Sequence, residues 1–141
     1  MRLQSNVAVY LLLKRGDETL LSLRQNTGYR DGNWSVVAGH VEEGEGVIDA
    51  IIREAKEEAD IDIERDDLKV VHVMYYYDDR PYVIFFIDCE KYSGEIRNAE
   101  PHKCGGLKFF KENDLPSNTV EALKIAVENI KNGVFFSEVS L

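Results

Sequence analysis

Between Gly39 and Ile61 the chain reads GHVEEGEGVIDAIIREAKEEADI, and the spacing inside this stretch limits the possible folds more than any other segment. At roughly 100° per residue, Ile48, Ile51, Ile52, Ala55 and Ala59 share one side of a helix running from about Gly46 to Ala59, while Glu54, Glu57 and Glu58 share another. The apolar side needs a core to cover it, so the acidic side faces a cleft or solvent. Glu54 and Glu58 stand one turn apart with Glu57 beside them, at separations where like charges destabilise a helix. A hard divalent cation reverses that sign. Clustered carboxylate oxygens suit Mg²⁺ or Mn²⁺, and Mg²⁺ is commonly held by a few carboxylates together with waters and substrate phosphates. Taken alone, the same helix is also explained by a solvated acidic face.

The residues around the helix weigh against that plainer explanation. Gly39, Glu45, Arg53, Glu54, Ala55, Glu57, Glu58 and Ile61 fall on a pattern of Gly, five residues, Glu, seven residues, then Arg-Glu-apolar-any-Glu-Glu-any-Gly-apolar, with Asp60 in place of the last Gly. In this the chain resembles the Nudix family, and a match of this length and strictness is far more specific than a lone GxGxxG. Asp60 is expected at the helix C-terminal cap in a left-handed conformation, where it serves as a tolerable substitute for Gly at a cost in stability. The flanking segments GYRDGNWSVVAGHVEEGE and NAEPHKCGGLKFF resemble the MutT-like branch.

The resemblance implies an α/β fold, an α/β/α sandwich with a mixed β-sheet, in a single domain over residues 1–141. It implies attack of water on a phosphorus of a nucleoside diphosphate linked to another group, most directly a nucleoside triphosphate giving monophosphate and pyrophosphate. It further implies Mg²⁺ as cofactor, with Mn²⁺ able to substitute, held by Glu54, Glu57, Glu58 and the Gly39 carbonyl. Arg53 and Glu45 are expected to pair and brace the loop against the helix. Glu100, in the NAEP segment, stands where related enzymes carry a loop glutamate acting as base or extra ligand; a solvated carboxylate and a box glutamate such as Glu57 as base are the alternatives. Relief of repulsion in Glu57→Gln is expected to raise metal-free stability.

Length and charge agree with one small enzyme domain. With 141 residues and 44% hydrophobic content the chain suffices for one core. No apolar run approaches the roughly 20 residues of a membrane span, and MRLQSNVAVYLLLKR reads as a first strand, not a signal peptide, so a cytoplasmic location is expected. Cys89 and Cys104 lack CxxC spacing and are expected to be buried thiols. A net charge of −9 without a basic stripe argues against binding polymeric nucleic acid. A small nucleotide arriving with its metal is compatible, and oligomeric state is open.

Periodicity predicts strands over Asn6 to Leu13, Thr19 to Leu23, Ser35 to Ala38 and Leu107 to Phe110, and a hairpin of Leu68 to Tyr77 with Tyr82 to Asp88 around a DDRP turn. Gln25 to Asn33 reads as a polar loop. A second helix is predicted over about Thr119 to Lys131, with Asn118 and Glu121 spaced as a capping box. Tyr29, Trp34, Tyr75, Tyr76 and Tyr77 are candidates to stack a base, though strand tyrosines also serve as core or sheet surface. Asn118 is a candidate for reading a base edge. Glu42 and Glu43 are expected to be solvated, and His40, His72 and His102 to be ordinary loop or strand histidines. Asp60, Asp62 and Glu64 imitate the start of a calcium loop, but Arg65 stands where Gly is required and Val71 where the closing Glu should be.

Two further readings differ in substrate or in class. Tyr77 falls near a spacing used by some dinucleoside polyphosphate hydrolases, and an ADP-ribose hydrolase is a related alternative. A catalytically silent nucleotide-binding regulator on the same fold is the other; intact Glu54, Glu57 and Glu58 count against it.

Overall fold

The computed structural model describes residues 1–141. In chain order the elements are β1 (Asn6–Arg15), β2 (Glu18–Arg24), β3 (Trp34–Ser35), β4 (Ala38–His40), α1 (Val47–Ala59), β5 (Leu68–Tyr77), β6 (Pro81–Cys89), β7 (Cys104–Lys111), α2 (Glu121–Lys131) and β8 (Phe136–Ser140). The apolar run after Asn6 explains the layering. Ala8 and Leu12 belong to one core and Val9, Leu11 and Leu13 to another, so consecutive β1 side chains serve opposite faces. A strand buried on both faces has to lie inside a sheet covered on both sides.

β1 runs parallel to β6 from Asn6 opposite Tyr82 to Leu13 opposite Cys89. Its other edge meets β4 early and β2 late, both antiparallel. The strand order is β3-β2-β1-β6-β5-β8, with β4 on β1 and β7 on β2. The sheet is therefore mixed, as the sequence predicts, and one helix covers each face. α1 places Ala50, Ile51, Ala55 and Ala59 against Val9, Leu11, Leu13 and Ile87, and α2 places Ala122, Leu123, Ala126 and Val127 against Leu12, Met74 and Phe86. Fully burying one Ile or Leu in such a layer stabilises the fold by roughly 1.5–3 kcal/mol.

The C-terminal end of α1 bears out the expected left-handed cap. Asp60 has φ 57° and ψ 35°, and its N–H donates to the Ala55 and Lys56 carbonyls. Its carboxylate meets Arg97 at 3.0 Å and Lys56 at 3.5 Å, which offsets part of the strain. Two expectations are corrected and one strand is added. Ser35 to Ala38 is not one strand but two short ones, β3 and β4, separated at Val36 and Val37. α2 begins at Glu121 with Val120 at its N-cap and no side-chain cap; Asn118 instead donates to the Gly32 carbonyl at 2.9 Å. β8, absent from the sequence reading, adds parallel to β5.

Candidate active site

The box loop and α1 are joined by one guanidinium. Arg53 donates from Nε to Glu45 at 2.8 Å and from Nη2 to Glu45 at 3.0 Å and the His40 carbonyl at 3.1 Å. Two parallel bonds to one carboxylate fix orientation as well as charge. These bonds, with the Glu42 N–H, hold the Glu45 carboxyl down at about 2. The expected brace is thus present. Glu42, expected to be solvated, also approaches Arg53 at 3.2 Å while staying largely exposed.

The same guanidinium reaches the acidic face, with Nη1 donating to Glu54 at 2.8 Å and to Glu57 at 3.3 Å. The three helix carboxylates differ sharply in environment. Glu57 is 50% exposed and Glu54 12%, whereas Glu58 Oε2 is buried without a hydrogen-bond partner. Burial first, and then the neighbouring Glu54 and Glu100 carboxylates, push the Glu58 carboxyl up to about 10. Burial and like-charge neighbours thus both favour the protonated form of Glu58.

Glu54, Glu57, Glu58 and Glu100 line one cleft of about 400 Å³. Glu100 arrives on the loop between β6 and β7, whose backbone closes on itself through Lys103 and Cys104 N–H groups donating to the Glu100 carbonyl, each at 2.9 Å. The same cleft is lined by Arg24 and Lys103, two cations that the sequence reading missed. They come together because β2 pairs with β7, with Arg24 opposite Cys104. That register has no local sequence signal. The cleft thus combines carboxylates, which suit a hard cation, with cations, which suit phosphate oxygens.

Do these residues suit a divalent metal? As the side chains stand, no three His, Cys, Asp or Glu groups converge closely enough to hold an ion; Arg53 occupies Glu54 and Glu57 instead. Two observations favour a fit. Glu58 Oε2 is a buried oxygen lacking any partner, which a cation would satisfy. A Cβ on Gly39 would overlap the Glu54 carboxylate, so only Gly lets that carboxylate lie against the loop backbone. The donors are hard oxygens, the class that Mg²⁺ and Mn²⁺ prefer.

The remaining candidates separate cleanly. Tyr29 and Tyr76 line a second cleft adjoining the first. Trp34 packs edge-on against Phe110 with ring centroids 4.9 Å apart. Tyr77 is 43% exposed on β5 and lines neither cleft. His72 is buried, bonded to the Val134 carbonyl at 2.9 Å and the Ser137 hydroxyl at 2.8 Å, His40 and His102 are exposed, and both cysteines are buried free thiols. No helix is long and apolar enough to cross a membrane.

Comparison with known proteins agrees with this architecture. The NUDIX domain model matches residues 2–130. A MutT NUDIX hydrolase from Burkholderia pseudomallei superimposes with TM-score 0.81 at 30% identity, covering 89% of this chain and 97% of that one. The MutT protein of Methanosarcina mazei Go1 shares the fold, with TM-score 0.80 at 14% identity over 94% and 96% of the two chains. Nudix hydrolase 5 of Arabidopsis thaliana is 40% identical over 60 residues, which span 41% of this chain and 19% of that protein. Matched over nearly its whole length by the domain model and over most of it by a homologous hydrolase, the chain belongs to the Nudix family.

Proposed function

We propose that this protein hydrolyses a phosphoanhydride bond in a nucleoside diphosphate derivative, most directly a nucleoside triphosphate, releasing monophosphate and pyrophosphate. The observation that carries the reading is that one cleft is lined by Glu54, Glu57, Glu58 and Glu100 together with Arg24 and Lys103. Members of the family act on such nucleotides and generally use divalent metal ions. Here Mg²⁺, or Mn²⁺ in its place, would be held by Glu54, Glu57, Glu58 and the Gly39 carbonyl. When bound, it supplies neutralisation of phosphate charge and makes nearby water more acidic.

The chain's own residues then have distinct tasks. Arg24 and Lys103 hold phosphate oxygens and offset their charge, the dominant requirement of phosphoryl transfer. Glu100 takes the proton as water oxygen bonds to phosphorus; the bond from that phosphorus to the bridging oxygen breaks, and the bridging oxygen departs with pyrophosphate. Arg53 is a positioning residue, orienting Glu54 and Glu57 while anchored on Glu45. A silent regulator would have no use for the unpartnered Glu58 oxygen beside two further carboxylates. The test is a panel of nucleoside triphosphates incubated with Mg²⁺ and resolved by chromatography. Monophosphate and pyrophosphate as primary products are expected, and orthophosphate with diphosphate would refute the bond choice.

A further inference from the structure

The second cleft, of about 600 Å³, shares Arg24, Ala38 and Glu54 with the carboxylate cleft, so a ligand can extend from one to the other across Arg24. Its walls include Tyr10, Tyr29, Tyr76 and Tyr82. Tyr10 and Tyr82 lie on β1 and β6, and neither stands out in the sequence, because parallel pairing of Asn6 with Tyr82 is what brings these strands together. Tyr29 donates its hydroxyl to Asp78 at 3.3 Å, whereas the hydroxyls of Tyr10, Tyr76 and Tyr82 find no partner within the protein. Burial keeps Tyr10 protonated up to about 12 and raises Tyr76 and Tyr82 as well. At neutral pH the cleft therefore presents three phenol groups able to donate or accept a hydrogen bond.

The remaining wall is held in place from three sides. The segment Gln25 to Asn33 is stitched to the Glu100 loop by Gln25 donating to the Pro101 carbonyl and Asn26 to the His102 carbonyl, both at 2.8 Å. Arg24 Nε donates to the Tyr29 carbonyl at 2.7 Å, and Arg30 bonds Asp78 on the β5–β6 turn at 2.6 Å. The Tyr29 ring lies 5.5 Å and 5.4 Å from the Arg24 and Arg30 guanidinium carbons, within cation–π range. The result is a flat aromatic wall fixed near polar phenols.

We infer that Tyr10, Tyr76 and Tyr82 read the polar edge of a nucleobase through their free hydroxyls, with Tyr29, latched by Arg30 and Asp78, as the wall beside it. A planar heterocycle suits this lining: its faces stack on rigid rings while its edge carries the donors and acceptors that unpartnered phenols lack. A pocket built to hydrogen-bond a ligand discriminates strongly against one that leaves its polar groups unpaired. The assignment rests on the nucleotide reading above and adds the residues that set specificity.

The test uses binding, so that it does not depend on turnover. In a Glu57→Gln background without metal, affinity for a panel of nucleoside triphosphates and for inorganic tripolyphosphate is measured by calorimetry, before and after adding Tyr76→Phe and Tyr82→Phe together. The preferred nucleotide is expected to lose about tenfold or more in affinity, the effect of one or two net hydrogen bonds, while tripolyphosphate changes less than twofold. A parallel series in Arg30→Ala should weaken nucleotide selectively in the same way. Equal losses for nucleotide and tripolyphosphate, or an unchanged nucleotide affinity in a variant that melts as the parent does, would overturn the assignment. So would parent protein that binds tripolyphosphate as tightly as every nucleotide. A wrong bond choice in the product assay would leave these binding differences standing, so the two readings fail separately.

Discussion

α1 and α2 do the same structural work with opposite surfaces. Each covers one face of the sheet with four buried residues, Ala50, Ile51, Ala55 and Ala59 in α1 and Ala122, Leu123, Ala126 and Val127 in α2. The polar side of α2 mixes signs: Glu121, Lys124, Glu128 and Lys131, with Glu128 and Lys131 paired at 3.8 Å. The polar side of α1 sets Glu54 and Glu57 on Arg53 and buries one Glu58 oxygen unpaired. Solubility explains the first surface and not the second. A local rule broken on one of two otherwise equivalent helices is the pattern expected of a functional surface.

The largest effect separating the helices is expected from Glu57→Gln, which preserves shape and removes one charge. Turnover with Mg²⁺ should be abolished, as it should be by chelation of the parent, while the far-UV spectrum is unchanged in both. Surviving hydrolysis in either would make α1's acidic face no more functional than α2's. The simple expectation that this substitution stabilises the metal-free protein is weakened by the Arg53 contact to Glu57 at 3.3 Å. Relief of repulsion and loss of a half-exposed pair oppose one another, and a net change within about 0.5 kcal/mol follows, checked by urea melts.

Glu100→Gln comes next. Loss of a general base lowers kcat by about 10²-fold to 10⁴-fold with much less effect on KM, and the acidic limb of the pH–rate profile should move. Near-full kcat would return the role of base to the α1 carboxylates and restrict the chemistry to that helix.

A smaller effect concerns pH. Burial and the neighbouring carboxylates raise the Glu58 carboxyl well above its ordinary value of 4.5, so above that value the folded state holds a proton that the unfolded chain has lost. Metal-free stability should therefore fall as pH rises beyond it. Divalent metal needs the carboxylate, so binding should release a proton and tighten by up to about tenfold per pH unit around neutrality. Calorimetry in two buffers of different ionisation enthalpy reads the proton directly. A pH-independent affinity with no proton release would remove Glu58 from the site. At the bottom of the scale, Lys131→Gln on α2 should change stability by no more than about 0.5 kcal/mol, with kcat unaltered; denaturant melts and steady-state assays would show whether α2 is as indifferent as its surface suggests.

What was legible in the sequence follows from range. The amphipathic periods of both helices, the doubly buried β1 and the left-handed position of Asp60 are local properties, and each shows in the spacing of neighbouring residues. Helical spacing also grouped Glu54, Glu57 and Glu58, but gave no sign that Glu58 is the one buried, because depth depends on what packs beside the helix. Arg24, Lys103, Tyr10 and Tyr82 became visible only through strand pairing between distant segments. β8 escaped because FSEVS is a short edge strand with three exposed residues, lacking the apolar alternation that marks a covered strand. Asn118 offered a reasonable capping pattern, yet its side chain serves the Gly32 carbonyl across the fold.

Arg53 also bears on how the protein would accommodate a metal ion. Its Nε and Nη2 stay on Glu45 while Nη1 spans Glu54 and Glu57, so the acidic helix carries a resident counterion tethered within it. A metal held by Glu54 and Glu57 would displace only one edge of the guanidinium, with the other edge still anchored on Glu45. Small folds nucleated by zinc behave differently, since removing the ion removes the fold. Here the fold rests on two apolar cores, so loading and stripping would recur on a scaffold that persists throughout. Lysine could not fill this position, because a single ammonium lacks the planar fork needed to grip one carboxylate while releasing others.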